Sequence, residues 1–284
     1  MKYVLITGVS TGIGHELSKK FISQGYHVFG SVRKQHDFDR VKEELGEPFT
    51  PLLFDVTNHE AIAASLPIVQ ERIGEDGLSG LVNNAGLALS GPIQFLPMGV
   101  YRHQFEVNLF GAIAVTQTFL PLLGARKNCT HPPGRILNIS SVAGKIAYPF
   151  MSPYSASKFA LEGWSHSLRR ELLIYGIDVI IIGPGPIKTP IWTKGDEIPQ
   201  ELLDSDYGEP LSRMRKQFQK VEEISIPVKE FSLKLFKVFE ASNPKTRYTF
   251  LNSKFTRYTI PRLMPDRVLD KIIGRVLALK KGIV

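Results

Sequence analysis

The chain of 284 residues contains a single cysteine, Cys129. One thiol excludes an intrachain disulfide. With no His/Cys cluster around it, a zinc centre of the cysteine type is excluded as well, and no metal is expected. A lone free thiol suits a reducing compartment. No apolar run approaches the roughly 20 residues that a membrane-spanning helix requires. The longest, Val179-Ile180-Ile181-Ile182, has the length and β-branching of a buried strand. Repeats and low-complexity tracts are lacking, which argues against a solenoid or a disordered linker. A net charge of +8 is not gathered into a block. Its densest spots, Arg213-Met214-Arg215-Lys216 and Lys280-Lys281, read as solvated helical faces, so no nucleic-acid partner is expected. The opening Lys2-Tyr3-Val4-Leu5-Ile6-Thr7 reads as a strand feeding a turn rather than as a signal peptide, which gives the expectation of a cytoplasmic protein.

What is present is the balance of an ordinary globular protein, 43% hydrophobic and 22% charged, at a length that suits one sizeable core. Strand-like runs at 3–7, 27–32, 50–55, 80–83, 135–140, 178–182 and 247–250 alternate with helical patterns at 12–24, 58–73, 100–123 and 154–175. Such alternation predicts an α/β fold, a Rossmann-type doubly wound, seven-stranded parallel sheet with helices on both faces. In these sheets ligands sit beyond the carboxyl ends of the strands, where strand order reverses. The expected organisation is one catalytic domain over 1–250, with a substrate lid at about 188–227, and a C-terminal helical extension over 251–284. The segment 184–210, punctuated by Pro186, Pro190, Gly195, Pro199 and Gly208, reads as irregular. The extension carries an apolar-periodic helix with Val268, Ile272, Ile273 and Val276, suited to the site mouth, a subunit interface or a membrane surface.

Thr7-Gly8-Val9-Ser10-Thr11-Gly12-Ile13-Gly14 joins the first strand to the first helix. Glycines here permit a sharp turn and close approach of a pyrophosphate to backbone N–H groups at a helix N-terminus. The spacing is G-x-x-x-G-x-G. After the second strand an acidic residue would accept hydrogen bonds from a ribose 2′-hydroxyl; Ser31 stands there, and Arg33 follows with a guanidinium suited to a 2′-phosphate. Ser10 adds a hydroxyl, and the coenzyme expected is NADP(H) rather than NAD(H). Asn83-Asn84-Ala85-Gly86 ends the fourth strand where the nicotinamide ribose would pass.

Tyr154 and Lys158 stand four apart at the start of a predicted helix, so they share a face. A phenol titrates near pH 10, and a neighbouring ammonium favours its phenolate, making the pair an acid–base unit. Thirteen residues before Tyr154, Ser141 follows a strand and can orient a substrate oxygen. Ser140, beside it after the same strand, is the rival serine. Asn108 sets an amide in an otherwise apolar helix, as a packing bond or a functional one.

Taken together these segments resemble the short-chain dehydrogenase/reductase family, over about residues 2 to 190. The resemblance implies a tetrad of Asn108, Ser141, Tyr154 and Lys158: the tyrosine transfers the proton, the lysine also binds the nicotinamide ribose, the serine orients the carbonyl and the asparagine supports a water relay. It implies coenzyme contacts at Gly8, Ser10, Thr11, Gly12, Ile13, Gly14, Arg33, Asn83, Ala85 and Gly86. Asp55 and Val56, after the third strand, would meet the adenine. Pro184, Gly185, Ile187 and Thr189 would hold the carboxamide. Leu87-Ala88-Leu89-Ser90-Gly91-Pro92, Lys158-Phe159-Ala160-Leu161-Glu162-Gly163 and Arg33 resemble the branch of hydroxysteroid and retinol dehydrogenases, implying an apolar secondary alcohol or its ketone or aldehyde as substrate. An acyl-carrier-type 3-ketoacyl reductase and a non-catalytic NADP-sensing regulator are the rival readings. The family also implies a homo-oligomer, paired through the helices at 100–123 and 154–175.

Overall fold

The computed structural model describes residues 1–189 and 198–279 of the chain. Seven strands form one sheet: β1 (Lys2–Ile6), β2 (Tyr26–Val32), β3 (Phe49–Leu53), β4 (Gly80–Asn83), β5 (Arg135–Ile139), β6 (Asp178–Pro184) and, after two short strands β7 (Ile187–Lys188) and β8 (Ile226–Pro227), β9 (Arg247–Phe250). The order is β3-β2-β1-β4-β5-β6-β9 and every pairing is parallel, while β7 and β8 pair with each other. Strand order reverses between β1 and β4, opening the crevice there.

Alternation along the strands explains why both faces are covered. Tyr3 and Leu5 of β1, with Phe29, Leu81, Ile136 and Val179, face one core; Val4 and Ile6, with Val28, Val82, Leu137 and Ile180, face the other. The first core is closed by α3 (His59–Ile73), α5 (Gly111–Phe119) and α6 (Ser152–Glu171) through Ile62, Val115, Phe119 and Leu168. The second is closed by α1 (Gly12–Ile22), α2 (Gln35–Leu45) and α9 (Val228–Glu240) through Leu17, Phe21, Val41, Phe231 and Leu235.

Several elements differ from the sequence expectation. The helices α2 and α9 were not anticipated: α2 is strongly charged (Gln35-His36-Asp37-Phe38-Asp39-Arg40), and only Val41 and Leu45 bury. The stretch 184–210 is not wholly irregular, since α7 (Gln200–Leu203) and the start of α8 (Gly208–Glu223) fall in it. Residues 190–197 of the expected lid, and Lys280-Lys281, lie outside the described residues. The pattern at 100–123 is not one regular helix. It comprises α4 (Met98–Phe105), a π-helical turn Glu106–Phe110, α5 and a 3₁₀ turn, Leu120–Leu123. By length and composition the continuous stretch Met98–Leu123 is apolar enough to cross a membrane, contrary to the sequence reading, but its apolar residues Val115 and Phe119 are buried against the sheet. After β9, a π-helical turn Phe255–Thr259 leads into α10 (Ile260–Leu263) and α11 (Asp266–Leu277), which packs against α8.

Candidate active site

The turn after β1 is held open from three sides. Gly8 and Gly12 adopt φ of +71° and +63°, the left-handed region that glycine tolerates best. Thr7 Oγ1 accepts from the backbone N–H groups of Asn84 (3.0 Å) and Ala85 (2.9 Å), and Asn84 Nδ2 donates to the carbonyls of Thr7 (2.8 Å) and Gly8 (3.0 Å). A methyl at Gly14 would sit 2.3 Å from the Gly8 carbonyl oxygen, so the helix starts as close to the strand as a chain permits. Thr11 precedes α1 without a side-chain capping bond, leaving that helix terminus suited to a pyrophosphate. Thr189 reaches the same place: its Cγ2 would lie 3.4 Å from a methyl at Gly12. The turn residues and Thr189 therefore form one cradle, and it fits a dinucleotide.

Around the adenosine end, Arg33 is exposed with its Nη1 3.9 Å from Asp55 Oδ2, and Asp55 Oδ1 accepts from the N–H and hydroxyl of Thr57 at 2.9 Å each. Asp55 is thereby oriented with one oxygen facing Arg33. Val56 is buried against Gly111. Ser31 does not stand where an acidic residue would meet a ribose. It is buried, and its Oγ accepts from the Gly8 N–H at 3.0 Å, so its hydroxyl serves the turn. Asn83 is a second correction: its side chain points into the interior and donates to Thr116 Oγ1 (2.9 Å) and Asn138 Oδ1 (2.8 Å), leaving its backbone alone to face the strand end. Ile187 also buries its side chain in the core, while Pro184 and Gly185 close the end of β6.

The four residues of the expected tetrad are all buried, and three converge on the ends of β5 and α6. The Ser141 hydroxyl neighbours the Tyr154 phenol and favours its ionised form. Ser141 Oγ also accepts from the Ala143 N–H at 3.1 Å, which caps the short turn Val142–Gly144. Lys158 Nζ donates to the Ile139 carbonyl at 2.8 Å and lies 5.8 Å from the centre of the Tyr154 ring. Gly86 is exposed beside them, and a methyl there would lie 3.7 Å from Lys158 Nζ and 3.2 Å from Asn108 Oδ1. That open patch beside the ammonium fits a ribose.

Asn108 occupies the π-helical turn, a distortion often found at functional sites. Its side chain is spent on the chain opposite: Oδ1 accepts from the Leu87 N–H (2.9 Å), and Nδ2 donates to the Leu87 carbonyl (3.0 Å) and Ser157 Oγ (3.1 Å). The amide thus ties α4–α5 to the segment after β4. Ser140, the serine set aside, turns the other way and donates to Glu162 at 2.9 Å.

Burial decides the proton affinities here. It pushes the Tyr154 phenol above its ordinary value, and the Ser141 hydroxyl opposes that. Burial also pushes Lys158 down to about 8, with the Glu162 carboxylate pulling the other way. Glu162 was missed in the sequence reading as a site residue. The signal was available, since Tyr154, Lys158 and Glu162 are spaced i, i+4, i+8 on one helical face.

Above the tyrosine, Ala143 and Met151 pack with it, and Ala88 and Phe218 of α8 close over them. Tyr207, just before α8, meets Phe95 and Phe150 edge-on at 6.2 and 5.7 Å. The packing over Tyr154 is therefore apolar, and a separate aromatic cluster precedes α8. Among the described residues no cluster of three His, Cys, Asp or Glu suits a metal.

Comparison with known proteins agrees with this geometry. A family model described as short chain dehydrogenase matches residues 2–198. The NADPH-dependent 3-dehydrocapnine reductase of Ornithobacterium rhinotracheale is 43% identical over 277 residues, covering 98% of both chains. Short-chain dehydrogenase/reductase family 9C member 7 of Mus musculus is 32% identical, covering 97% of this chain and 90% of that protein. A solved short-chain dehydrogenase from Streptomyces avermitilis superposes with a TM-score of 0.78 at 25% identity, covering 97% of this chain and 96% of its own.

Proposed function

Because the chain belongs to the short-chain dehydrogenase family, we propose that it is an NADPH-dependent carbonyl reductase, with Tyr154 as proton donor and an apolar ketone as substrate. The observation that carries this reading is the meeting of Tyr154, Ser141 and Lys158 beneath an apolar roof, beside a cradle shaped for a dinucleotide. The coenzyme is NADP(H): exposed Arg33 supplies the guanidinium that a 2′-phosphate requires. When bound, it supplies the hydride. Gly8, Ser10, Thr11, Gly12, Ile13, Gly14 and Thr189 would hold its phosphates, and Ala85, Gly86 and Lys158 the nicotinamide ribose. Asp55 and Val56 would flank the adenine, and the backbone of Asn83, Pro184, Gly185 and Ile187 would face the nicotinamide.

The chain's own residues perform the other half of the reaction. Ser141 donates a hydrogen bond to the substrate oxygen and orients the carbonyl. Tyr154, buried and kept protonated, delivers its proton to that oxygen as negative charge develops. Lys158 then stabilises the phenolate left behind. The reverse sequence oxidises the alcohol. Asn108 keeps the segment after β4 against α6, so that Gly86 stays open beside Lys158.

A compound of the 3-dehydrocapnine type is the substrate to try first, since the 3-dehydrocapnine reductase is 43% identical over nearly the whole chain. The apolar cover of Ala88, Met151 and Phe218 over Tyr154 supports an apolar body on that substrate. The single thiol suits work in the cytoplasm. The test is consumption of NADPH with 3-dehydrocapnine and a panel of apolar ketones, wild type against Tyr154→Phe. The variant is expected to lose about 10²–10⁴ in kcat, the usual contribution of a positioned acid, with NADPH binding retained. Equal turnover by both proteins would refute the assignment.

A further inference from the structure

An ion pair between buried Glu162 and half-buried Arg247 lies directly behind the end of β5. Glu162, 1% exposed, accepts from Arg247 Nε at 3.0 Å and Arg247 Nη2 at 2.9 Å, and from Ser140 Oγ at 2.9 Å. Lys145 Nζ lies 3.1 Å from its second oxygen. Arg247 Nη2 also donates to the Ser141 carbonyl at 3.3 Å. Through these bonds the pair grips both residues that follow β5, one by its side chain and one by its backbone.

Two glycines make room for it. A methyl at Gly144 would fall 2.8 Å from both Glu162 Oε1 and Ser140 Oγ, and one at Gly183 would fall 2.4 Å from Arg247 Nη2. The pair is therefore built into a fitted cradle. Stability alone is a poor reason for such a site, because replacing a buried ion pair by apolar residues is often neutral or stabilising. Its position gives a better reason. Glu162 stands one helical turn beyond Lys158 on the same face, and Arg247 ends its reach at the backbone of Ser141.

The far side of Arg247 is held by the C-terminal extension. Its guanidinium carbon lies 5.5 Å from the ring centre of Tyr258, which is buried. Arg262 stacks on the same ring at 5.1 Å and donates to the Tyr258 hydroxyl at 3.2 Å. Tyr258 thus limits where Arg247 can go, and Arg247 limits Ser141.

We propose that Glu162 and Arg247 are positioning residues for the reaction, holding Ser141 and Lys158 in register with Tyr154, and that Tyr258 makes the C-terminal extension part of this support. The proposal rests on the reductase reading above. The chain from Tyr258 to Ser141 crosses only contacts of packing and hydrogen-bond distance, so a loosened ring is felt at the serine. Misplacement of a reacting group by about 1 Å costs on the order of a hundredfold in rate.

The experiment compares Glu162→Gln, Arg247→Lys, Tyr258→Leu and Tyr258→Phe with wild type in NADPH-dependent reduction. Folding is checked by melting temperature, and NADPH affinity is measured by fluorescence titration. Expected is a fall in kcat of about ten- to a hundredfold for Glu162→Gln and Tyr258→Leu, with NADPH affinity unchanged. Tyr258→Phe, which keeps the ring, should recover most of the rate, whereas Arg247→Lys, which loses the fork joining Glu162 to the Ser141 carbonyl, should fall with Glu162→Gln. The alkaline limb of kcat should move to lower pH in Glu162→Gln, because Lys158 then keeps only cationic or titratable neighbours (Lys145, Arg247, His166) around that carboxylate position. Wild-type kcat and an unmoved limb in folded Glu162→Gln would overturn the proposal. Should that variant fail to fold, wild-type kcat in Tyr258→Leu does so instead. A loss of NADPH affinity matching the loss of kcat also counts against it, as general damage to the fold. Tyr154→Phe is run alongside: if it too keeps full activity, the reductase reading has failed, whereas an inactive Tyr154→Phe beside an active Glu162→Gln sinks the positioning role alone.

Discussion

Lys158 shows how one residue carries opposing demands. Its ammonium is buried among the ends of β5 and α6, and burial pulls it down to about 8 from 10.5. A depressed lysine binds fewer protons folded than unfolded between those two values, so folding gains stability as pH rises from about 8 to 10.5 and is least stable below that window. A shift of this size is worth about 3 kcal/mol. Lys158→Met is accordingly expected to melt higher than wild type at pH 7 while losing reductase activity, a comparison that calorimetry and a turnover assay settle. Activity that depends on the ammonium should decline as pH rises through about 8. Arg33 poses a simpler case. It is exposed, and its nearest charged partner, Asp55, is 3.9 Å away. Arg33→Ala should weaken NADPH by about 1.5–3 kcal/mol, the worth of a hydrogen bond to a charged group, and leave NADH nearly untouched; steady-state KM values for the two coenzymes check it. At this scale the Tyr154/Lys158 pair can be read from local spacing, while Asn108 joins the proposed tetrad only through the family resemblance. The role of Ser31 cannot be read so, because its partner Gly8 lies on another strand end. The inward turn of Asn83 likewise depends on Thr116 and Asn138, far along the chain.

Among the elements, the β1–α1 turn is the most sharply determined. Its geometry leaves no space at Gly14, where an added methyl would lie 2.3 Å from the Gly8 carbonyl oxygen and 2.6 Å from Asn84 Nδ2. Gly14→Ala should therefore strain the cradle by about 1–3 kcal/mol and raise the Kd for NADPH by about ten- to a hundredfold, measurable by titration of coenzyme fluorescence. The turn could be read from sequence because its glycines, strand and helix are contiguous. Its fastening to β4 by Thr7 and Asn84 needed the fold. The π-helical turn at Asn108 marks the contrary case. Periodicity over 100–123 shows a helix, and the extra residue in its middle follows from the bonds that Asn108 makes with Leu87. Periodicity does not reveal α2 or α9, for different reasons: α2 buries little, and α9 begins directly after Pro227, the last residue of β8.

Over the whole molecule, two helices carry apolar residues outward on one side of the site. Phe110, beside α5, is 46% exposed and Phe159 of α6 is 45% exposed. We propose that these helices pair two copies of the chain, and that Phe110→Lys with Phe159→Asp shifts the protein to a monomer in sedimentation velocity. Solvent-exposed pairs of this kind belong at an interface when they lie on adjoining elements. The C-terminal extension is not a loose appendage: α11 packs on α8, and Tyr258 reaches Arg247. The alternation of apolar runs by itself determined the seven-stranded parallel sheet, since each strand must bury both faces and each crossover needs a helix. The glycine turn and the Ser141, Tyr154 and Lys158 positions lie within one or two adjacent elements, which is why the proposed places for coenzyme and proton transfer can be read locally. The tertiary structure alone decided the rest. Glu162 meets Arg247 across 85 residues of chain, and no local pattern encodes a bond of that reach. Burial of Tyr154 and Lys158, and with it their proton affinities, was decided by what α8 and the neighbouring loops lay over them.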